Sequence, residues 1–293
     1  MKLDKVAEVE INADLKKYNT YRIGGIAKRV IHPYSLENVK GILEAIKDAN
    51  EKYFILGNGS NVILPDEDYD GNIIMFDLLN KIEVDKEINE ACVEAGVKLG
   101  VLNETLLKDE YISFYWANSI PGTLGGAIVG NAGAYNHEIF EYLISVTVLD
   151  KDYNLIELKK EDIEYGYRHT NLNKYIVLQA KFNVEKGDVL ETRELIKEQA
   201  LKRMKSQPLN MPNAGSVFKN PEGDSAGRLI DSLGLKGYNI GGARVSDVHA
   251  NFIVNDGDAT SKDIKGLIKY VQKEVYDNYK IELELEQKIV RWN

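Results

Sequence analysis

One stretch of 27 consecutive residues, 111–137, contains no Asp, Glu, Lys or Arg, although the whole chain is 28% charged. The stretch contains Pro121 and five glycines, and its apolar pieces are only a few residues long, whereas a membrane-spanning helix needs about 20. Buried core strands remain an alternative, but they would use β-branched residues instead of glycines. Because closely spaced glycines let backbone N–H groups approach a ligand, we expect this stretch to cradle one.

The charge balance and the cysteine content exclude several classes of protein. There are 46 acidic and 37 basic residues, which gives a formal net charge of -9. Such a surface repels nucleic acid, although a local pocket for a small phosphate ligand is compatible with it. Cys92 is the single cysteine, and the four histidines lack metal-ligand spacing, so we expect no disulfide and no metal site. Residues 1–17 lack the apolar core of a signal peptide, so we expect a cytoplasmic protein that does not enter a membrane.

The apolar periodicity predicts short strands mixed with helices. Helices are predicted from Ser35 onward and near 99–108, 188–205, 224–233 and 261–279. Strands are predicted at 53–56, 62–64, 73–76, 91–94, 144–149, 175–182, 243–246 and 250–254, followed by a final alternating strand at 281–290. The order is not the regular alternation of a doubly wound sheet, which favours an α+β fold. The polar helix near 188–205 is typical of a connector between domains.

The sequence Leu-Gly-Asn-Gly-Ser-Asn at 56–61 follows a predicted strand, as a dinucleotide-binding loop does. Val62 stands where the third glycine of a Rossmann motif belongs, and the extended residues after it do not begin a helix. Asp77 lies near the position of a ribose-binding acid, which is weak support. No Gly-Lys-Ser/Thr follows a glycine cluster, so a P-loop is excluded. Either the loop is a plain hairpin, or it forms one wall of a pyrophosphate site opposite residues 111–137.

Six motifs in sequence order resemble those of the UDP-N-acetylenolpyruvoylglucosamine reductase (MurB) family, in its shorter type. They occupy residues 19–25, 56–61, 119–135, 165–168, 213–221 and 285–289, so the resemblance spans nearly the whole chain. One departure follows Arg168, where the family often has Asp-Ser and this chain has His169 and Thr170.

The resemblance implies an α+β fold with a two-lobed FAD-binding domain of the vanillyl-alcohol-oxidase (PCMH) type at 1–190. Its lobes would cover about 1–80 and 81–190, and a C-terminal α+β substrate-binding domain, including the connector helix, would cover 191–293. In that fold, glycine-rich loops hold the FAD pyrophosphate, which accounts for the poor Rossmann match. The residues expected to bind FAD are Gly57, Asn58, Gly59, Ser60, Asn61, Ser119, Pro121, Gly122, Gly125, Gly126, Asn131 and Gly133.

The resemblance also implies a reaction, the NADPH-dependent reduction of UDP-N-acetylenolpyruvoylglucosamine to UDP-N-acetylmuramate in peptidoglycan synthesis. FAD mediates it, and hydride passes from flavin N5 to the enolpyruvyl group. Arg168, Ser216 and Glu286 are implied to be catalytic, with Ser216 as the proton donor, and Tyr167, Arg168 and Asn220 to bind substrate. The cofactors are then FAD and NADPH, the partner is a UDP-sugar, and we expect a monomer.

The chemistry of these side chains suits those roles but does not by itself establish them. An arginine can grip a carboxylate with two parallel hydrogen bonds, whereas a serine donates a proton only when it is placed close to a strongly basic carbon. Glu286 shares one face of the predicted last strand with Glu282 and Glu284, so the pattern cannot single it out. A serine hydrolase is disfavoured because no Gly-x-Ser-x-Gly is present. Two alternatives stay open, another FAD oxidase or dehydrogenase of the same fold and a non-catalytic nucleotide-sugar binding protein.

Overall fold

A computed structural model describes residues 3–292 as a mixture of short strands and helices. In chain order the strands are β1 (Ala7–Asp14), β2 (Ile26–Pro33), β3 (Lys52–Ile55), β4 (Val62–Ile63), β5 (Tyr69–Ile74), β6 (Ile82–Asp85), β7 (Glu90–Glu94), β8 (Gly133–Ala134), β9 (His137–Glu138), β10 (Leu143–Leu149), β11 (Leu155–Lys159), β12 (Tyr165–Gly166), β13 (His169–Thr170), β14 (Ile176–Asn183), β15 (Asn239–Ile240), β16 (Ala243–Val245), β17 (Ile253–Asn255) and β18 (Lys288–Ile289). The α-helices are α1 (Leu36–Asp48), α2 (Leu99–Lys108), α3 (Leu124–Gly130), α4 (Val189–Ser206), α5 (Ala226–Ser232) and α6 (Ser261–Tyr279). Within residues 3–292, every helix is too short or too polar to cross a lipid bilayer.

The long helices follow the apolar periodicity of the sequence. Helix α1 begins after Ser35 and buries Val39, Ile42, Leu43 and Ile46, the face that the sequence predicts. Helices α2 and α6 have the predicted bounds, and α6 begins with a capping box in which Thr260 and Asp263 exchange hydrogen bonds. Strands β1, β2 and β11 were not predicted, because half of their residues or fewer are buried and their sequences carry many charges.

The predicted final strand at 281–290 is wrong for most of its length. Only Lys288 and Ile289 form a strand, and Leu285 makes an isolated bridge to Phe218. The alternation fails because the polar Gln287 is 3% exposed whereas the apolar Ile289 is 36% exposed.

The uncharged stretch at 111–137 is more helical than the sequence suggests. It contains a 3-10 helix at Tyr115–Ala117, helix α3 and the short strand β8. Helix α3 ends at Gly130 and is followed by its C-cap, Asn131, which takes the left-handed conformation with φ of 43°. Apolar side chains of this stretch lie in the hydrophobic core, including those of Phe114, Trp116 and Leu124.

The chain divides into two compact units, each assembled from three chain segments. The first unit comprises described residues 3–11, 28–58 and 70–199, and the second comprises 12–27, 59–69 and 200–292. The last point at which the chain passes from the first unit to the second lies inside helix α4, between Gln199 and Ala200. The functional domains at 1–190 and 191–293 stay a prediction.

The first unit contains two sheets around one hydrophobic core. One sheet has the strand order β1-β2-β5-β3, with β3 parallel to β5, and the other has the order β11-β10-β14-β7-β6 and is antiparallel throughout. The core includes the buried face of α1, the apolar residues of α2 and α3, and Phe182 of β14.

The second unit has its own core, built on α5, α6 and the sheet β15-β16-β17. Tyr21 and Ile63, from the two N-terminal segments of this unit, are buried in the same core. Strand β4 pairs in parallel with β18, with Ile63 opposite Ile289. The carboxylate of Asp66 accepts hydrogen bonds from the N–H groups of Ser261 and Lys262 at the start of α6.

Candidate active site

Within the first unit, the loop after β3 contacts the segment that leads into α3. The side-chain amide of Asn58 donates to the carbonyl oxygen of Pro121 at 2.6 Å. A Cβ atom on Gly57 would lie 2.9 Å from the Thr123 hydroxyl oxygen, so this close approach requires glycine. The two glycine-rich segments that the sequence assigns to a pyrophosphate site therefore meet in space at Gly57 and Asn58.

Two N–H groups in the first turn of α3 are already used within the protein. Leu124 donates to the Val97 carbonyl and Gly125 to the Ala95 carbonyl, both at 2.8 Å. A Cβ atom on Gly125 would lie 3.0 Å from the Ala95 Cβ, so this glycine allows the helix to approach the chain after β7. Gly126 is exposed, and a Cβ atom there would come no closer than 3.7 Å to the Thr123 hydroxyl oxygen, so its backbone is accessible.

A cavity of about 620 Å³ lies beside these segments, entirely within the first unit. It is lined by Asn58, Lys98, Gly100, Val101, Glu104, Thr105, Lys108, Asn118, Ile120, Pro121 and Gly122. Pockets for small molecules typically measure about 300–1,000 Å³. Two lysines and glycine backbone outnumber the single carboxylate of this lining, Glu104, so the residues present fit the phosphates of a dinucleotide such as FAD.

The rest of the glycine-rich loop, residues 59–61, belongs to the second unit and makes hydrogen bonds there with two other segments. Gly59 takes φ of 63°, and its carbonyl accepts from the Thr20 N–H at 3.1 Å. The Asn61 side chain donates to the Glu286 carbonyl at 3.2 Å, and the Asn61 carbonyl accepts from the Lys288 N–H at 3.0 Å. The loop predicted to bind the cofactor is thus connected directly to the segment that carries Glu286.

Arg168 occupies the two-residue turn of the β12–β13 hairpin in the first unit and takes φ of 55°. Its Nη2 donates to the Gly133 carbonyl at 2.5 Å, and its guanidinium carbon lies 4.9 Å from the centre of the Tyr167 ring. A cation over an aromatic face is stabilised by the ring's negative quadrupole. The guanidinium is therefore held close to the uncharged stretch.

Two further side chains fix the Arg168 hairpin. The amide of Asn131 donates to the Gly166 carbonyl at 2.8 Å and to the Glu138 carboxylate at 2.9 Å. The Thr170 hydroxyl donates to the Val129 carbonyl at 2.7 Å, so the departure from the family's Asp-Ser keeps a hydroxyl that anchors the hairpin. Among the described residues, none donates to Oδ1 of the fully buried Asn131.

Ser216 and Glu286 lie on neighbouring segments of the second unit. The Val217 carbonyl, next to Ser216, accepts from the Glu286 N–H at 2.9 Å, and Phe218 forms a bridge with Leu285. Both Ser216 and Glu286 are partly exposed, in contrast to the buried Val217 and Phe218. Two of the three predicted catalytic residues are therefore brought together by this pairing, and Arg168 belongs to the other unit.

The remaining predicted site residues differ in their exposure and in their hydrogen-bond partners. Asn220 accepts from the Ala226 N–H at 3.1 Å and so satisfies the start of α5. Ser119 lies half-buried beside the cavity, and Tyr167 is 52% exposed. Asp77, considered above as a ribose-binding acid, instead lies 2.5 Å from Nδ1 of His32.

Sequence reasoning gave no role to Tyr21 or Gln287, which form a buried hydrogen-bonded pair. The Tyr21 hydroxyl donates to Gln287 Oε1 at 3.0 Å, and both side chains are at most 3% exposed. The sequence signals only that the polar Gln287 stands on the predicted apolar face of the tail, and it does not identify Tyr21 as the partner.

Comparison with known proteins identifies matches along most of the chain. Residues 27–159 match a model described as an FAD binding domain, and 207–290 match the C-terminal domain of UDP-N-acetylenolpyruvoylglucosamine reductase. The enzyme of that name from Clostridium novyi is 41% identical over 290 residues, which cover 98% of this chain and 94% of the relative. That of Caldanaerobacter subterraneus is 38% identical, with coverages of 98% and 95%.

Solved structures give the same result. The crystal structure of the reductase (MurB) from Thermus caldophilus has a TM-score of 0.82 and 31% identity, and covers 97% of this chain and 99% of that one. The 6-hydroxy-D-nicotine oxidase of Arthrobacter nicotinovorans has a TM-score of 0.50 at 14% identity, over 61% of this chain and 42% of that one, which shows likeness of fold alone.

The fold and the matched domain define an FAD-dependent oxidoreductase whose FAD-binding domain is of the PCMH type, which confirms the predicted α+β fold class. The chain belongs to the UDP-N-acetylenolpyruvoylglucosamine reductase family, which uses FAD and NADPH and acts in peptidoglycan synthesis. The resemblance drawn from the six sequence motifs is thereby confirmed.

Proposed function

We propose that this protein reduces UDP-N-acetylenolpyruvoylglucosamine to UDP-N-acetylmuramate with electrons from NADPH, acting in the cytoplasm as a monomer. The observation that carries the proposal is the pairing of residues 216–218 with 285–286 in the second unit, since it joins a candidate proton donor to a candidate acid. Whole-length identity of 41% to a relative named for this reaction supports the same assignment.

When bound, FAD supplies the hydride that it has taken from NADPH. Gly57, Asn58, Pro121 and Gly126 would hold it, through the backbone surfaces beside the cavity. Asn131, at the end of α3, holds the Arg168 hairpin in place through its donated hydrogen bonds to Glu138 and Gly166.

The role of Arg168 is to bind the carboxylate of the enolpyruvyl group. As electron density enters this group, its carboxylate gains negative charge, and a guanidinium stabilises that charge through two parallel hydrogen bonds. The contact with the Gly133 carbonyl uses Nη2 and orients the guanidinium plane. A lysine could supply the charge but not this two-point geometry.

Ser216 donates a proton to the carbon next to that carboxylate. Glu286 acts at the carboxylate itself. An alcohol is a weak acid in water, so its placement has to supply most of the effect. The left-handed Gly215 before Ser216 and the bond between Glu286 and Val217 provide fixed backbone on both sides of the hydroxyl.

An anaerobic titration in two steps tests the proposal. The purified protein should carry FAD that loses its yellow colour with NADPH and regains it when UDP-N-acetylenolpyruvoylglucosamine is added. Recovery with other oxidants but not with this substrate would assign the chain to a different flavoenzyme of the same fold. Absence of bound FAD after reconstitution would exclude both.

A further inference from the structure

The buried carboxamide of Gln287 makes three hydrogen bonds in the second unit. Its Nε2 donates to the carbonyls of Ala214 and Gly215, each at 3.1 Å, and its Oε1 accepts from the Tyr21 hydroxyl at 3.0 Å. Carbonyl oxygens can only accept, so the NH₂ group must face Ala214 and Gly215. This fixes the orientation of the amide and makes Tyr21 the donor to it.

The two carbonyls that Gln287 holds come immediately before Ser216. Gly215 takes φ of 75°, and a Cβ atom there would meet nothing within 4 Å, so glycine is needed for its conformation and not for space. The direction in which the chain continues to Ser216 depends on this left-handed residue. The Gly215 N–H is also held, since it donates to the Asn213 side chain at 3.0 Å.

Gln287 also directly follows Glu286 in the chain. The Glu286 N–H donates to the Val217 carbonyl at 2.9 Å, so the chain is fixed on one side of Glu286 by Val217 and on the other by the Gln287 side chain. A single buried amide thus connects the backbone before Ser216 to the backbone after Glu286.

Stability alone does not account for this polar pair. Tyr21 is 0% exposed, and burial raises the pKa of its phenol, so it stays a neutral donor. Replacing both partners of a buried hydrogen bond by apolar groups of similar shape is often nearly neutral for stability. A buried polar network with all its bonds made does, however, specify one arrangement of the groups around it.

We propose that Gln287, oriented by the Tyr21 hydroxyl, is a positioning residue that sets the placement of Ser216 relative to Glu286. The inference rests on the proposed function, because it assigns to Ser216 the role of proton donor. Gln287 itself need not touch substrate or FAD.

The test measures the two half-reactions separately in the FAD-loaded, full-length protein by stopped-flow absorbance. In Gln287→Met, we expect flavin reduction by NADPH to keep its rate while reoxidation by UDP-N-acetylenolpyruvoylglucosamine slows at least tenfold. Tyr21→Phe keeps both bonds to the carbonyls but loses the group that orients the amide, so its reoxidation should slow less. Gln272→Met is the matched control, because Gln272 also donates to one backbone carbonyl of this unit, that of Leu283, at 2.9 Å.

A double-mutant cycle with Ser216→Ala distinguishes positioning from general damage. If Gln287 acts through Ser216, Gln287→Met should have little further effect on reoxidation once Ser216 is alanine. Equal slowing in both backgrounds, or equal slowing of both half-reactions, would overturn the inference. If Gln287→Met fails to fold, the double-mutant cycle of Tyr21→Phe with Ser216→Ala tests the inference instead.

Failure of the proposed function looks different from failure of this inference. If Ser216→Ala is reoxidised by substrate at the wild-type rate, the proton-donor role is wrong. If Ser216→Ala is slow but Gln287→Met matches the wild type, only the positioning role is wrong.

Discussion

The guanidinium of Arg168 donates to the carbonyl oxygen of Gly133 at 2.5 Å, and a Cβ atom on Gly133 would lie 3.1 Å from Nη1 of the same side chain. A Cβ atom on Gly133 would also clash with the backbone carbonyl oxygen of His137, so the arginine is held against a position that requires glycine. Because Arg168 also takes φ of 55°, its backbone and its side chain are both constrained.

Arg168→Lys should lower the rate of flavin reoxidation by substrate about 10²-fold, the usual effect of losing one fixed donor to a developing negative charge. The lysine keeps the charge but loses the planar fork that grips the carboxylate. Stopped-flow absorbance of the FAD-loaded protein measures this rate. Reduction by NADPH should be unchanged, and a parallel loss of that step would contradict the assignment of Arg168 to substrate.

Ser216→Ala should leave flavin reduction by NADPH intact and lower product formation by roughly 10²–10⁴-fold, the range that general acids contribute. Product is measured by chromatography after a single turnover. Ser225→Ala is the matched control, since the Ser225 hydroxyl accepts from the Arg228 N–H at the start of α5 in the same unit. It should cost about 1 kcal/mol of stability without affecting turnover. Equal turnover in the two variants would remove Ser216 from the mechanism.

Gly59→Ala should destabilise the second unit by about 2 kcal/mol or more, because it adds backbone strain to a steric clash. Gly59 takes φ of 63°, and its Cβ would lie 2.6 Å from the Asn19 Cα. Gly223→Ala separates the two causes, since Gly223 has φ of 75° and nothing within 4 Å of its Cβ position. Urea unfolding should show a loss of only about 1 kcal/mol there. Similar losses at the two glycines would mean that the clash with the Tyr18 carbonyl and with Asn19 carries no cost.

The stability of the first unit should depend on pH through the contact between His32 and Asp77. Burial disfavours the charged imidazole, but the hydrogen bond and the charge of Asp77 outweigh it and raise the pKa of His32 above its ordinary value. The stabilisation is fully present below the unfolded pKa, about 6.5, and is lost as the pH rises through the raised folded pKa.

Asp77→Asn should accordingly lower the free energy of unfolding by about 1 kcal/mol at about pH 5.5 and by much less at about pH 9. Urea denaturation at the two pH values measures the difference. The control is Asp109→Asn, because Asp109 pairs with Lys86 at 2.6 Å and lysine keeps its charge at both pH values. A loss at Asp77 that does not change with pH would show that His32 is not charged in the folded protein.

The sequence predicts helices α1, α2, α4, α5 and α6 because these depend on neighbouring residues, and the glycine spacing indicates the contact at Gly57 although Thr123 is distant in the sequence. Helix α6 needs only its apolar face and the cap at Thr260, and the closeness of Gly57 to Thr123 follows from residues that cannot carry side chains. The tail could not be predicted in this way. Gln287 is buried by Tyr21, which lies 266 positions away in the sequence, and no local pattern reports such a partner.

The same limit applies to the predicted catalytic residues. The segments that carry Ser216 and Glu286 are paired through a bridge between Phe218 and Leu285. The hydrophobic periodicity of the sequence does not predict which segments pair. By its alternation alone, the sequence does not distinguish Glu286 from Glu282 and Glu284; in the structure Glu286 is partly buried, whereas the other two are exposed.

The parallel pairing of Ile63 with Ile289 has a consequence for how this protein matures in the cell. During translation, residues near Ile63 leave the ribosome long before the strand that completes their sheet has been made. Until then Tyr21, Ile23 and Ile63 have no finished core to enter, and they are exposed to chaperones and to aggregation. Folding of the second unit therefore has to wait until Ile289 has been synthesised, although Tyr21, Ile23 and Ile63 emerge much earlier.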